Sequence, residues 1–129
     1  MRTFFLLLTV AALAGCQKHD DTPADASKVS ISLLAPQAGA QYKKGDTVHV
    51  SADVSYPAEL HGYELELADS ASGTALWNKD SHVHDDHFSI RESWVDTLSS
   101  RATLLLTLTV EIDHDGHDTD RVIRLYSRP

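Results

Sequence analysis

Beyond residue 28 the chain alternates apolar and polar side chains with a period of two, the signature of half-buried strands rather than helices. Val29, Ile31 and Leu33 alternate with Ser30 and Ser32. Val48, Val50, Ala52 and Val54 alternate with His49, Ser51, Asp53 and Ser55. Tyr63, Leu65 and Leu67 share one face with Glu64 and Glu66 on the other. Leu104, Leu106, Leu108, Val110 and Ile112 form another apolar face, backed by Leu105, Thr107, Thr109 and Glu111. Turn-forming residues punctuate these runs at 36–39, 45–46, 57–62, 70–73 and 115–116. Short strands at this spacing predict an all-β antiparallel sandwich.

Two hairpins have an expected register. Centring a two-residue turn on Asp115-Gly116 pairs His114 with His117, Ile112 with Thr119, Leu108 with Ile123 and Leu106 with Leu125. The same register sets Asp113 against Asp118 and Glu111 against Asp120, like charges that repel unless solvent or a cation relieves them. A turn at Asp85-Asp86 sets His84 against His87 and Val83 against Phe88. Asp-Asp is a poor two-residue turn, because both positions need positive φ.

The N-terminus has a different character. Arg2 precedes an apolar run over 4–13, then Leu13-Ala14-Gly15-Cys16. A basic start, a short apolar stretch and small residues before a cut form a secretory signal peptide, too short to span a bilayer as a mature helix. The cysteine after the small residues resembles the lipobox of bacterial lipoproteins. That resemblance implies cleavage after residue 15, lipidation of Cys16 through its sulfur, and membrane attachment in the bacterial envelope. Gln17 stands where an aspartate retains some lipoproteins at the inner membrane, so the outer membrane is the expected location. Residues 16–28 are polar and expected to be a disordered tether. Residues 29–129 then make one domain.

Composition narrows the function. Beyond residue 15 the chain keeps all 19 acidic residues and loses only Arg2 of its 11 basic ones, a net charge of −9 with histidines neutral. That argues against nucleic acid or an anionic membrane surface as partner. Cys16 is the only cysteine, so the domain has no internal disulfide.

The stretch from Leu34 through Pro36, Gly39, Tyr42 and Gly45-Asp46 to Val48, Val50 and Ala52 resembles the opening of bacterial immunoglobulin-like or fibronectin-III-like modules. The turn at 113–116 resembles their last hairpin. The resemblance implies a seven-stranded sandwich and no particular activity. Its strands would be A (29–34), B (47–55), C (63–68), C′ or D (74–84), E (87–95), F (103–113) and G (118–126), with residues 95–100 as the E–F connection. The chain departs from antibody domains in having no cysteine pair; Trp77 and Trp94 lie elsewhere and, with Phe88, are expected to pack at the core or its rim. In such sandwiches loops B–C, D–E and F–G share one pole, which would gather His61, His84, His87, His114 and His117. His49 falls nearer the other pole, and His19 lies in the tether.

Histidine is the commonest transition-metal ligand, and imidazoles with a carboxylate suit zinc, copper or nickel. The repeated His-Asp-x-His puts the leading candidates at His84, His87, His114 and His117, with His61 and His82 next. Asp85, Asp86, Asp115 and Asp118 are available beside them. Calcium on Asp113, Asp115, Asp118 and Asp120 is the lesser option, as no closing EF-hand glutamate is present. The competing expectation is a non-catalytic module docking an envelope protein, a transporter or a glycan, its histidines incidental to a polar loop. No nucleophile elbow, phosphate loop or zinc-protease helix occurs, so no enzymatic activity is expected.

Overall fold

The computed structural model describes residues 23–129. The expected signal peptide, Cys16 and the expected tether up to residue 22 lie outside the described residues. Six strands follow a single turn of 3-10 helix (Ala26–Lys28): β1 (Ser30–Ala35), β2 (Gln41–Lys43), β3 (Thr47–Asp69), β4 (Ala75–Val95), β5 (Ala102–Glu111) and β6 (Asp118–Arg128). The 3-10 turn closes the segment expected to be a tether. Asp25 caps it, accepting from the Ser27 backbone N–H, and the Asp25 N–H donates to the Tyr56 hydroxyl at 3.1 Å.

The strands form one hydrogen-bonded sheet curled into two layers. β4 follows β3 along nearly its whole length. On the other side of β3, β1 pairs with residues 51–55 and β5 with residues 62–69. β6 pairs with β5, and β2 adds to β6 as a parallel edge strand. One layer therefore holds β1 with the first half of β3 and the second half of β4. The other holds the remaining halves with β5, β6 and β2. Inward residues of both layers meet in one core: Val48, Val50, Ala52 and Val54 from one side, and Leu65, Leu67, Leu104, Leu106, Leu108, Val110 and Leu125 from the other. Burial of these aliphatic faces is the dominant stabilising term.

The all-β sandwich stands, but three local expectations need correction. Strands B and C are not separated by a loop over 57–62: β3 runs through it. The β3–β4 ladder shifts register between Ser55 and Leu60, so Pro57 sits where no ladder N–H is needed, a position a strand tolerates for proline. There is likewise no hairpin at Asp85-Asp86. β4 continues through both residues, with Asp85 opposite Leu60 and His87 opposite Ser55. No non-glycine residue among those described has positive φ, so Asp-Asp does not supply the backbone such a turn requires. These two continuities turn seven expected strands into six with β2 counted, and β2–β6 is a parallel pair.

The last hairpin is shifted by two residues. Glu111 faces Asp118, Leu106 faces Ile123 and Leu104 faces Leu125, leaving a loop over 112–117. Asp113 organises that loop: its Oδ1 accepts the backbone N–H groups of Asp115 and His117 at 2.9 and 3.1 Å. Gly116 takes φ +88°. A shift of two preserves the side-chain period, so every residue keeps its expected face while changing its partner. The acidic pairs expected opposite each other become Glu111–Asp118 and Thr109–Asp120.

The far end of the sandwich is closed by Asp96, which is 1% exposed. Its carboxylate accepts from the Ser127 hydroxyl at 2.5 Å and the Leu98 N–H at 2.9 Å. Its backbone exchanges hydrogen bonds with Gly45 and Asp46. This buried carboxylate ties the β4–β5 connection to β6 and to the turn before β3.

The bend of β3 depends on Gly62. It has φ +153°, and a Cβ there would overlap the Ser81 carbonyl oxygen and press on the His82 Cα. Gly62→Ala is expected to cost on the order of 1–3 kcal/mol through backbone strain, with added cost from the overlap. Urea unfolding measures this; a midpoint equal to that of the unaltered protein would contradict the close approach described here.

Candidate metal centre

The bend carries the histidines. His82 and His84 are two apart on β4 and so project from the same face. Gly62 sits opposite His82 on one side and opposite Glu111 on the other. Having no side chain, it lets the Ser81 carbonyl and the His82 backbone approach closely. His61 precedes it in the irregular part of β3, where the ladder shifts register between Leu60 and Gly62. His114 arrives from the 112–117 loop.

Five of the six pairs among these four rings lie close together. His61 lies 3.9 Å from His114 and 5.0 Å from His84, centroid to centroid. His82 lies 5.3 Å from His84 and 6.2 Å from His114, and His84 lies 6.0 Å from His114. Glu59 completes the group: its Oε1 is 3.1 Å from His84 Nδ1. One ligand atom from each of Glu59, His61 and His84 lies within 4.8 Å of the others.

His61 is the most constrained member. Its Nδ1 is sealed from solvent and has no hydrogen-bond partner among the described residues. A buried polar atom without a partner carries a desolvation cost of about 1–3 kcal/mol. Burial also lowers the His61 pKa, and the neighbouring His114 and His84 lower it further, against weaker opposition from Glu59 and Asp113. The neutral imidazole favoured there is the form that ligates metals. Beside it is an open pocket of about 320 Å³ lined by Ala24, Tyr56, Ala58, Glu59, His61, Ile112 and Asp113.

The two other leading candidates are placed differently. His87 is highly exposed and bonded through Nδ1 to Asp86 at 2.6 Å, with Asp85 at 3.7 Å. The hydrogen bond to Asp86 and the charges of both aspartates raise its pKa. Asp85, Asp86 and His87 form a second group close enough to share an ion, all of it exposed. His117 is bonded through Nδ1 to Asp113 Oδ2 at 2.6 Å. Desolvation raises the Asp113 pKa, but hydrogen bonds from His117 and Asp115 outweigh it and leave it lowered. Both Asp113 oxygens therefore serve the loop. Asp113, Asp115, Asp118 and Asp120 are not among the groups close enough to share one ion. His49 lies on β3 opposite Ser93, away from the cluster.

Histidine and acidic groups at this pole are thus arranged so that they could hold a metal ion. Two contributors, Glu59 and Gly62, carry no sequence signal beyond lying in a turn-like stretch. His82 with His84 is visible as a same-face pair; His61 and His114 join only through the topology.

The architecture is an all-β sandwich made from one curled sheet. Compared by structure, the chain is similar to Spo0M, the sporulation control protein of Bacillus subtilis, with a TM-score of 0.53 at 11% identity over 79% of this chain and 49% of that one. The chain thus spans about half of that protein's length. Fibronectin(III)-like modules of CbhA from Clostridium thermocellum align over 77% of this chain and 96% of theirs, with a TM-score of 0.47 and 13% identity. A CARDB domain from Pyrococcus furiosus, solved in complex with di-metal ions, aligns over 78% of this chain and 94% of its own, with a TM-score of 0.44 and 8% identity. Identities this low bear on fold alone. No family model and no curated protein matches the sequence.

The His61 shift has a pH consequence. The unfolded chain binds a proton at this residue near pH 6.5, and the folded domain does so only at lower pH. Stability is therefore full above pH 6.5 and declines as pH falls through that value toward the folded pKa. The raised pKa of exposed His87 acts in the opposite direction. Urea midpoints of the metal-free protein should fall between pH 7.5 and pH 5.5, and a His61→Asn variant should show a shallower fall. Equal slopes in both would remove His61 as the cause.

Proposed function

We propose that this protein is a lipid-anchored protein of the bacterial envelope that binds a divalent transition-metal ion through His61, His82, His84 and His114, with Glu59 in support. The observation that carries the reading is the packing of four imidazoles from three separate segments around a buried, unpartnered His61 nitrogen. Like rings crowded together repel once protonated. A bound cation reverses that, satisfying the sealed nitrogen and drawing the neighbours into coordination. Several imidazoles with a nearby carboxylate suit zinc, copper or nickel; calcium prefers oxygen ligands. Glu59 holds His84 Nδ1, which leaves His84 Nε2 to face the ion, a common carboxylate–histidine–metal arrangement. His87 and His117, tied to their own aspartates, stand outside the coordinating set.

The remainder of the reading rests on the N-terminal sequence. Lipidation at Cys16 supplies membrane attachment, Gln17 favours the outer membrane, and the acidic charge disfavours nucleic acid. Binding for uptake, buffering or sensing fits an exposed site on a small sandwich better than catalysis does, and the partner is an envelope protein such as a transporter.

Calorimetry tests the metal reading. The mature chain with Cys16→Ser, titrated with Zn²⁺, Cu²⁺ and Ni²⁺, should bind at least one of them stoichiometrically at micromolar or tighter affinity. A His84→Ala/His114→Ala double variant should lose that binding, and a His87→Ala/His117→Ala pair should keep it. Glu59→Gln should weaken it by about 10–100-fold, the usual effect of removing a carboxylate behind a ligating histidine. Weak binding at several stoichiometries, unchanged in the first double variant, would contradict the proposal and leave a docking module with incidental histidines.

A further inference from the structure

The chain enters the domain at the same end as the histidines. β1 runs antiparallel to β3, with Ser30 opposite Ser55, so the N-terminal segment emerges beside the β3 bend. It is fastened there: the Asp25 N–H donates to the Tyr56 hydroxyl, and Ala24 packs against the core. Ala24 and Tyr56 also line the pocket that contains Glu59 and His61. The C-terminal residues of β6 and the 96–101 connection lie at the opposite end, where Ser127 meets Asp96.

Six residues lie between Cys16 and Pro23, and the seven steps from one to the other reach at most about 25 Å when fully extended. The far pole is displaced by the length of β6, eleven residues or about 35 Å at strand rise. We infer that the lipid anchor holds the histidine end of the domain toward the bilayer, so that the site exchanges its ion with a membrane-embedded protein bearing metal ligands of its own. This rests on the lipid-anchor and metal readings above. The charge around the site favours that partner over the lipid surface. Glu59, Asp85, Asp86, Asp115 and Asp118 are all exposed at this pole, and carboxylates are repelled by anionic headgroups. The same carboxylates attract a cation arriving from, or leaving for, a neighbouring ligand set.

The test uses the full-length lipidated protein on phosphatidylcholine vesicles. Lipidation consumes the only native thiol, so a fluorophore goes on one introduced cysteine. Asp115→Cys marks the histidine end, and Ser100→Cys marks the far end. Energy transfer to a headgroup-labelled lipid should be at least about twofold higher from position 115, as an offset of about 35 Å implies. A second arm loads the unlabelled protein with Zn²⁺ and follows its transfer to a chelating-headgroup lipid in the same vesicle. Anchoring a Cys16→Ser protein instead by coupling a cysteine added after Pro129 to a maleimide-headgroup lipid should slow that transfer several-fold. Equal or reversed energy transfer, or equal transfer rates for the two anchor positions, overturns the inference while leaving metal binding in solution untouched. Failure of the full-length protein to associate with vesicles overturns the anchor reading and the inference with it.

Discussion

Two paired strands of more than twenty residues carry this domain from one layer of the sandwich into the other. β3 and β4 do not end at the corner; they bend together, and the bend is possible only because the ladder slips between Ser55 and Gly62. A glycine is required at the inside of that bend, where any side chain would strike the Ser81 carbonyl. The leucine and valine faces hold the layers together, but they would tolerate several connections at this end. The slipped ladder selects one, and every feature of the histidine pole is downstream of it. His61 lies within the slip, His82 and His84 lie opposite it, and Glu59 occupies the unpaired stretch.

The same irregularity links stability to chemistry. A ladder that loses register leaves polar groups to find partners elsewhere, and His61 Nδ1 finds none. Such unpaired groups are rare in folded proteins and carry a cost. Here the cost falls on an imidazole packed against both His84 and His114. The opposite pole is resolved in the contrary manner: Asp96 is buried with its carboxylate satisfied by Ser127 and Leu98. One end of the sandwich is a closed structural clasp. The other is open, crowded with titratable side chains, and joined to the N-terminal segment.

Strand faces were legible in the sequence because side-chain alternation is local. Val48 to Val54 and Leu104 to Val110 face inward as the pattern requires. Connections were not legible, because turn-forming residues report only what a backbone tolerates. Pro57 and Asp85-Asp86 are compatible with turns, yet strand pairing carries both segments straight on. At 113–116 the turn residues do make a turn, but Asp113 enlarges it by accepting two backbone N–H groups, which slides the register by two. The gathering of histidines at one end follows from strand order. Which rings touch does not: His84 and His87 lie three apart on one strand instead of across a hairpin, and His117 is captured by Asp113. Glu59 had no signal at all, since a carboxylate in a polar stretch is unremarkable until its imidazole partner is placed.

In the proposed site the crowded rings, and not the exposed His87 or His117, hold the ion. Crystals of the mature domain grown with zinc and measured on both sides of the zinc absorption edge test this directly. The expected result is an anomalous peak bounded by His61, His84 and His114, with metal–nitrogen distances of about 2.0–2.1 Å. A peak confined to Asp85, Asp86 and His87, or found only between molecules in the lattice, would contradict it.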